Sequence, residues 1–161
     1  MFDATAAETT PKLMTIGYEG AGIDDFIRTL KSAHVQSLVD VRELPLSRKK
    51  GFSKRALRDA LEIAGITYIH VRQLGDPKPG RVAARSGNMI EFGRIFNNHM
   101  RQDSTREALL DLIPIVISGG ACLLCFERCH SDCHRSIVAN ELSKIIKIRI
   151  SHIGVRHNIA E

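Results

Sequence analysis

Residues 122–142, CLLCFERCHSDCHRSIVANEL, decide how this chain is built. The segment opens inside an apolar run (121–126), passes through a polar turn and continues as a helical pattern that begins near Cys133. An apolar run without alternation is typical of a strand that is covered on both faces of its sheet. A strand that leads into an amphipathic helix is the unit from which α/β domains are built.

The rest of the chain also alternates predicted strands with predicted helices. Three further apolar runs, at residues 13–17, 37–42 and 67–72, predict strands, and helical patterns occupy residues 24–33, 53–64 and 104–112. Ser53 is expected to cap the second helix, and a Ser104–Glu107 capping box the third. The alternating run 148–150 predicts an edge strand. We therefore expect an α/β three-layer sandwich, with a mainly parallel sheet flanked by helices on both faces.

Length and composition favour one domain. The chain has 161 residues and a net charge of +5, with 43% hydrophobic residues, which argues against a disordered or rod-like protein. We predict a flexible N-terminal arm over residues 1–12 and a single α/β domain over residues 13–161. No apolar run is long enough to span a membrane, and the first twelve residues are unlike a secretory signal. A cytoplasmic location is expected.

Residues 76–88, DPKPGRVAARSGN, contain two prolines and two glycines and predict a long irregular loop. A loop of this length in a small domain is either a lid over a binding site or a surface insertion.

All four cysteines lie between residues 122 and 133, which indicates reduced thiols, a metal or a reactive site rather than a disulfide framework. Cys122 is expected to be a core residue, because free cysteine is among the most buried residue types. Cys129 and Arg135 have the C-x5-R spacing of phosphate-binding thiol enzymes, although the intervening residues include no glycine. Zinc binding by Cys125, Cys129 and Cys133 is a third interpretation. Our prediction is a site without metal or cofactor.

Polar side chains cluster where the predicted strands end. In an open α/β sheet, ligands bind beyond the carboxyl ends of the strands. This rule selects one group of candidates for binding or acid/base chemistry: Gly17, Tyr18, Glu19, Asp40, Arg42, Arg72, Cys125 and Glu127. Asp40 and Arg42 are equally well explained as a structural ion pair at the edge of the sheet.

The start of the last helix supplies the remaining candidates. Unpaired N–H groups and the helix dipole favour an anion at such a position. Arg135 opposes the dipole in the first turn, so we expect it to clamp a bound anion. The same field would activate Cys133 as a thiolate, with His134 as a proton carrier.

Several segments together resemble the domain-of-unknown-function family 488. These segments are TIGYEG (15–20), LVDVRELPLSRKKGFSKRAL (38–57) and CLLCFERCHSDCHRSIVANEL (122–142). The resemblance implies a small α/β domain but no activity, and Tyr18-Glu19 stand where the family commonly has His-Ser. The LVDVRE segment also resembles rhodanese, so the fold is expected to be distantly rhodanese- or Rossmann-like.

Three functions remain open from the sequence. The first is an enzyme that acts on a phosphate-containing or other anionic substrate, such as a nucleotide or nucleic acid. The second is a nucleic-acid-binding module without catalysis that uses two basic stretches, residues 42–58 and 144–156. The third is a thiol-based sulfurtransferase or redox protein. The oligomeric state is not predicted.

Overall fold

The computed structural model describes residues 10–157, apart from the side chain of Asp132. Within this range the chain forms one five-stranded parallel sheet of order β3-β2-β4-β1-β5. The strands are β1 (Lys12–Gly17), β2 (Ser37–Asp40), β3 (Thr67–His70), β4 (Ala121–Cys125) and β5 (Arg149–Gly154). The prediction of an edge strand near the C-terminus is confirmed, because β5 pairs with β1 alone.

Helices cover both faces of the sheet. They are α1 (Ile23–Ser32), α2 (Lys54–Ile63), α3 (Lys78–Arg85), α4 (Met89–Met100), α5 (Asp103–Asp111), α6 (Ile113–Ile117) and α7 (His134–Ile145), with 3-10 turns at Arg72–Leu74 and His130–Asp132. No helix in the described range is long and apolar enough to cross a membrane. Residues 1–9 of the predicted arm lie outside the described residues, and β1 begins at Lys12.

Two hydrophobic cores lie on opposite faces of the sheet. One core joins the sheet to α1 and α2, and the other joins it to α3–α7. Successive residues of β4 alternate between them: Cys122 and Leu124 face the first core, and Leu123 and Cys125 face the second. Because both faces are covered, every β4 residue is buried, which explains the uninterrupted apolar run. The predicted three-layer α/β sandwich is confirmed.

The region predicted as an irregular loop is largely helical. Residues 78–85 form α3, and α4 follows after a short turn. Pro79 lies in the first turn of α3, where a proline costs no helical hydrogen bond. The Pro- and Gly-rich composition therefore marks the start of a helix, and the prediction of a long loop is wrong.

The predicted helix caps are only partly right. The Ser104–Glu107 capping box does not form, because α5 begins one residue earlier, after Gln102, without a side-chain cap. Ser53 does occupy the N-cap position of α2, but its hydroxyl bonds the backbone of Ser47. That contact fixes the loop between β2 and α2 (residues 41–53), whose first half borders the site described below.

Candidate functional site

A cavity of about 790 Å³ opens at the carboxyl edge of the sheet. We call it the strand-end cavity. Its walls come from the ends of β1, β2 and β4, from the 41–53 loop and from α3. Five of the residues predicted from the sequence line it, namely Tyr18, Arg42, Cys125, Glu127 and His134. The topological rule for ligand sites therefore leads to this cavity.

Asp40 and Arg42 form a buried ion pair in the wall of this cavity. Arg42 donates from Nε to Asp40 Oδ1 at 2.9 Å and from Nη2 to Oδ2 at 2.7 Å. Tyr68 donates its hydroxyl hydrogen to the same carboxylate. Burial alone would lower the pKa of Arg42, but its hydrogen bonds to Asp40 and the charge of Asp40 raise it overall. Arg42 therefore remains charged, and Asp40 itself does not line the cavity.

The third nitrogen of Arg42 holds the loop in place. Nη1 donates to the Phe52 carbonyl at 2.7 Å and to the Tyr18 hydroxyl at 3.2 Å. The Tyr18 ring stacks on Phe52, with ring centroids 4.5 Å apart, and meets Phe126 edge-on. The ion pair thus connects β2 to the 41–53 loop and fixes an aromatic wall of the cavity.

Cys125, Cys133 and His134 converge at the base of the cavity. Cys125 ends β4, Cys133 is the N-cap of α7, and the two form a disulfide with their Cα atoms 7.2 Å apart. His134 Nδ1 lies 3.7 Å from Cys133 Sγ, and its Nε2 lies 2.6 Å from the Val41 carbonyl. That carbonyl can only accept, so Nε2 carries the hydrogen and Nδ1 presents a lone pair to the sulfur. Burial lowers the pKa of His134 to about 4, which keeps the ring neutral.

Arg135 lies inside the fold rather than in the cavity wall. It donates to Thr15 Oγ1 and Cys125 Sγ, each at 3.1 Å, and to the carbonyls of Glu127 and Arg128. These bonds tie the turn after β4 to β1, and burial lowers the pKa of Arg135. The four hydrogen bonds of Arg135 all go to protein groups. Its role in clamping an anion stays a prediction.

The remaining predicted residues lie around this centre. Glu19 accepts from the Arg128 N–H and supports the same turn, and Arg72 is exposed on a 3-10 turn outside the cavity. Gly17 is in close contact with the turn, since a Cβ at this position would lie 1.7 Å from the Glu127 carbonyl oxygen. Only glycine lets β1 end this close to the turn that carries Glu127.

The other two cysteines, Cys122 and Cys129, lie in different environments. Cys122 is fully buried in the first core, as predicted, and burial raises the pKa of its thiol. Cys129 is exposed, and its sulfur lies 2.9 Å from the Ser131 hydroxyl. The alternative zinc set of Cys125, Cys129 and Cys133 is not the group that converges, since His134 takes the place of Cys129.

Asp76 is a functional candidate that the sequence analysis missed. It lines the cavity, yet it is buried, and its Oδ1 accepts no hydrogen bond from the described residues. Burial raises its pKa to about 7, with Arg81 opposing and Glu127 and Glu43 adding to the shift. The carboxyl packs against Gly80 of α3, where a Cβ would lie 2.0 Å from Oδ1. The sequence signal that could have identified Asp76 is its position at the start of the Pro- and Gly-rich segment 76–88.

The family described as Domain of unknown function DUF488 matches residues 22–142. The chain belongs to this family. No curated protein and no solved structure matches it. The matched range of this DUF488 protein contains every ionisable residue of the cavity wall except Tyr18, as well as the Cys125–Cys133–His134 cluster. The family description assigns no activity, so the function is argued below from the geometry.

Proposed function

We propose that this DUF488 protein is an enzyme that acts on a small anionic substrate bound in the strand-end cavity, such as a nucleotide or another phosphorylated compound. The observation that carries the proposal is Asp76, a buried carboxyl with an unpartnered oxygen in a cavity wall shared with Cys125 and His134. Burying a polar atom without a partner costs free energy, so such atoms are concentrated at functional sites.

One arginine of the cavity wall is available to an anion. Three arginines and three carboxylates line the cavity: Arg42, Arg81, Arg85, Glu43, Asp76 and Glu127. Because the pKa of Asp76 is about 7, this group carries only part of its charge near neutrality, which reduces the negative charge of the wall. Arg42 and Arg81 are held by Asp40 and Glu43, whereas the exposed Arg85 makes no ion pair within residues 10–157. Arg85 is therefore the arginine most available to a ligand.

The rim of the cavity favours a substrate that also has a flat or apolar part. Leu44, Leu46, Met89 and Phe126 line the cavity and are exposed, which is unusual for side chains of this size. A nucleobase or another ring could pack on them while its anionic group contacts Arg85.

Asp76 and Glu127 are the candidates for acid/base catalysis. A general acid or base works best with a pKa near the operating pH, and Asp76 meets this condition. Glu127 Oε2 lies 3.5 Å from Cys125 Sγ, so this carboxylate can exchange a proton with the Cys125 thiol once the disulfide is reduced. In the reduced protein, the predicted roles of Cys133 as nucleophile and His134 as proton carrier are kept in the proposal.

Binding is tested by titrating inorganic phosphate, sulfate, nucleoside monophosphates and short oligonucleotides into the protein, followed by calorimetry. Arg85→Ala should raise Kd about 10- to 100-fold, which corresponds to the loss of one charged hydrogen bond. Arg94→Ala is the matched control, because Arg94 is also exposed but pairs with Glu91 away from the cavity. Equal affinities in both variants, or no binding by the parent, would contradict the proposal. Steeply salt-dependent binding of oligonucleotides alone would favour a nucleic-acid-binding module.

Catalysis is tested by incubating the same compounds with the parent and with Asp76→Asn, and measuring product release against pH. The parent rate should show an inflection near pH 7, and the variant should lose about 10²- to 10⁴-fold in rate together with that inflection. An unchanged pH profile in the variant would remove Asp76 from the mechanism.

The disulfide favours a second candidate, a thiol-based redox or sulfur-transfer protein. Cytosolic disulfides are usually transient and catalytic, and we propose a cytoplasmic location for this protein. After reduction of the disulfide, mild peroxide should re-form it, and thiosulfate should convert Cys125 or Cys133 to a persulfide with release of sulfite. Mass spectrometry should detect both products before the exposed Cys129 reacts. Modification of Cys129 alone would argue against this candidate.

A further inference from the structure

The cluster of Cys125, Cys133 and His134 has the composition of a metal site. One ligand atom from each residue lies within 4.8 Å of the other two. A tetrahedral zinc ion with Zn–S near 2.3 Å and Zn–N near 2.0 Å brings sulfur and nitrogen ligands to about 3.6 Å from each other. The 3.7 Å between Cys133 Sγ and His134 Nδ1 agrees with this value.

The imidazole is oriented as a metal ligand would be. Its Nε2–H is donated to the backbone carbonyl of Val41, which leaves the Nδ1 lone pair directed toward Cys133. Metal-binding histidines almost always donate their second ring N–H to a carbonyl or carboxylate in this way, since the bond fixes both the tautomer and the ring angle.

The backbone spacing of the cysteines suits a shared ion. Their Cα atoms are 7.2 Å apart. Disulfides usually hold the Cα atoms about 4.4–6.8 Å apart, whereas two thiolates on one ion need more room. Reduction of the pair would free two thiols, and metal binding would convert both to thiolates with the release of two protons and no further electron transfer.

The surroundings of the cluster stabilise negative sulfur. Arg135 is buried, and its hydrogen-bond acceptors are a hydroxyl, two carbonyls and Cys125 Sγ. A buried cation is costly unless negative groups lie near it, and a Cys125 thiolate would add to the charge of Glu127, which already acts on Arg135. Cys133 lies at the N-cap of α7, where the helix dipole also favours an anion.

We infer that the reduced protein binds one zinc-class divalent cation through Cys125 Sγ, Cys133 Sγ and His134 Nδ1, with its fourth position open to the strand-end cavity. Cys125, His134 and Glu127 all line this cavity, so the open position is accessible to a small molecule. Three protein ligands with one open position distinguish catalytic zinc sites from structural ones, which have four. The inference goes beyond the proposed function, because the cluster would bind metal whatever the substrate.

The experiment uses the full chain, reduced with a phosphine and dialysed against Zn²⁺ or Co²⁺ without oxygen. We expect one metal per chain by elemental analysis, and the cobalt form should show thiolate charge-transfer and tetrahedral d–d absorption. Saturation at a hundredfold excess over Kd should raise Tm by about 5–10 °C. Fewer than about 0.2 equivalents in the reduced parent, or an octahedral cobalt spectrum, would overturn the inference.

Variants assign the ligands. Cys133→Ser and His134→Asn should each lower affinity more than about 100-fold, since even residues that only support ligands contribute about 10- to 100-fold. Cys129→Ser is the matched control and should keep the full equivalent, because Cys129 lies outside the cluster. Equal losses in Cys129→Ser and Cys133→Ser would refute this ligand set. The parent cobalt spectrum decides the question even if a variant fails to fold, and anion binding that depends on Arg85 is scored separately.

Discussion

Removal of the Arg42 side chain should expose the energetic cost of the buried Asp40 charge. Asp40 is completely buried, and Arg42 supplies two charge-assisted hydrogen bonds to it. Bonds of this kind are worth about 1.5–3 kcal/mol each, and a buried charge left without its partner costs about 3–5 kcal/mol. We therefore expect Arg42→Met to lower the free energy of unfolding by about 3–5 kcal/mol and Tm by about 6–20 °C.

The assay is urea unfolding followed by far-UV circular dichroism, since the chain contains no Trp for fluorescence. The informative control is the double variant Asp40→Asn/Arg42→Met, in which the stranded charge is gone and Tyr68 can still reach the amide oxygen. It should be more stable than Arg42→Met by at least about 2 kcal/mol. A loss below about 1 kcal/mol in the single variant would refute the reasoning, and so would a double variant that is less stable than Arg42→Met.

Three further predictions concern other positions. Gly17→Ala should destabilise the protein by at least about 1–3 kcal/mol in the same urea assay, because its Cβ would overlap the Glu127 carbonyl; a neutral result would mean that the turn moves freely. Between about pH 4 and 7 the folded Asp76, with its pKa raised to about 7, holds more protons than the unfolded chain, so stability should fall as pH rises through this window. Asp76→Asn should recover about 1–3 kcal/mol at pH 8 relative to pH 5, and identical pH slopes would contradict the raised pKa. His34, which follows α1, has a positive φ of 59°, a backbone conformation that is strained for residues other than glycine. His34→Gly should therefore stabilise the protein by about 0.5–1 kcal/mol, measured as a higher Tm. A lower Tm would show that the unfolded-state entropy of glycine outweighs the strain.

Prediction from sequence worked best where the signal is local. The apolar run of β4 and the start of α7 follow from hydrophobic periodicity, and both are found within a residue or two of the expected place. The strand-end rule selects four residues of the cavity wall, including Tyr18 and Glu127, because parallel strands must present their carboxyl ends at one edge. The argument from the start of the last helix adds His134.

Prediction failed where a local signal has two meanings. Pro79 and Gly80 are typical of a loop, but in α3 the proline lies in the first turn of a helix and the glycine allows the helix to pack on Asp76.

The contact of Arg135 with an anion stays a prediction. What no local pattern shows is that this side chain donates to two carbonyls of a turn that becomes its neighbour only when the chain folds.

The sequence by itself determined the alternation of strands and helices outside α3 and α4, the two-sided sheet and the edge at which polar residues collect. Periodicity and chain connectivity suffice for these features, because each is set by which residues must leave water. Only the tertiary structure decided that Cys125 meets Cys133 and His134, that one oxygen of the buried Asp76 accepts no hydrogen bond from residues 10–157, and that Arg42 rather than Arg135 lines the cavity. These contacts depend on side-chain directions and separations of a few ångströms between distant segments, and no local pattern encodes them.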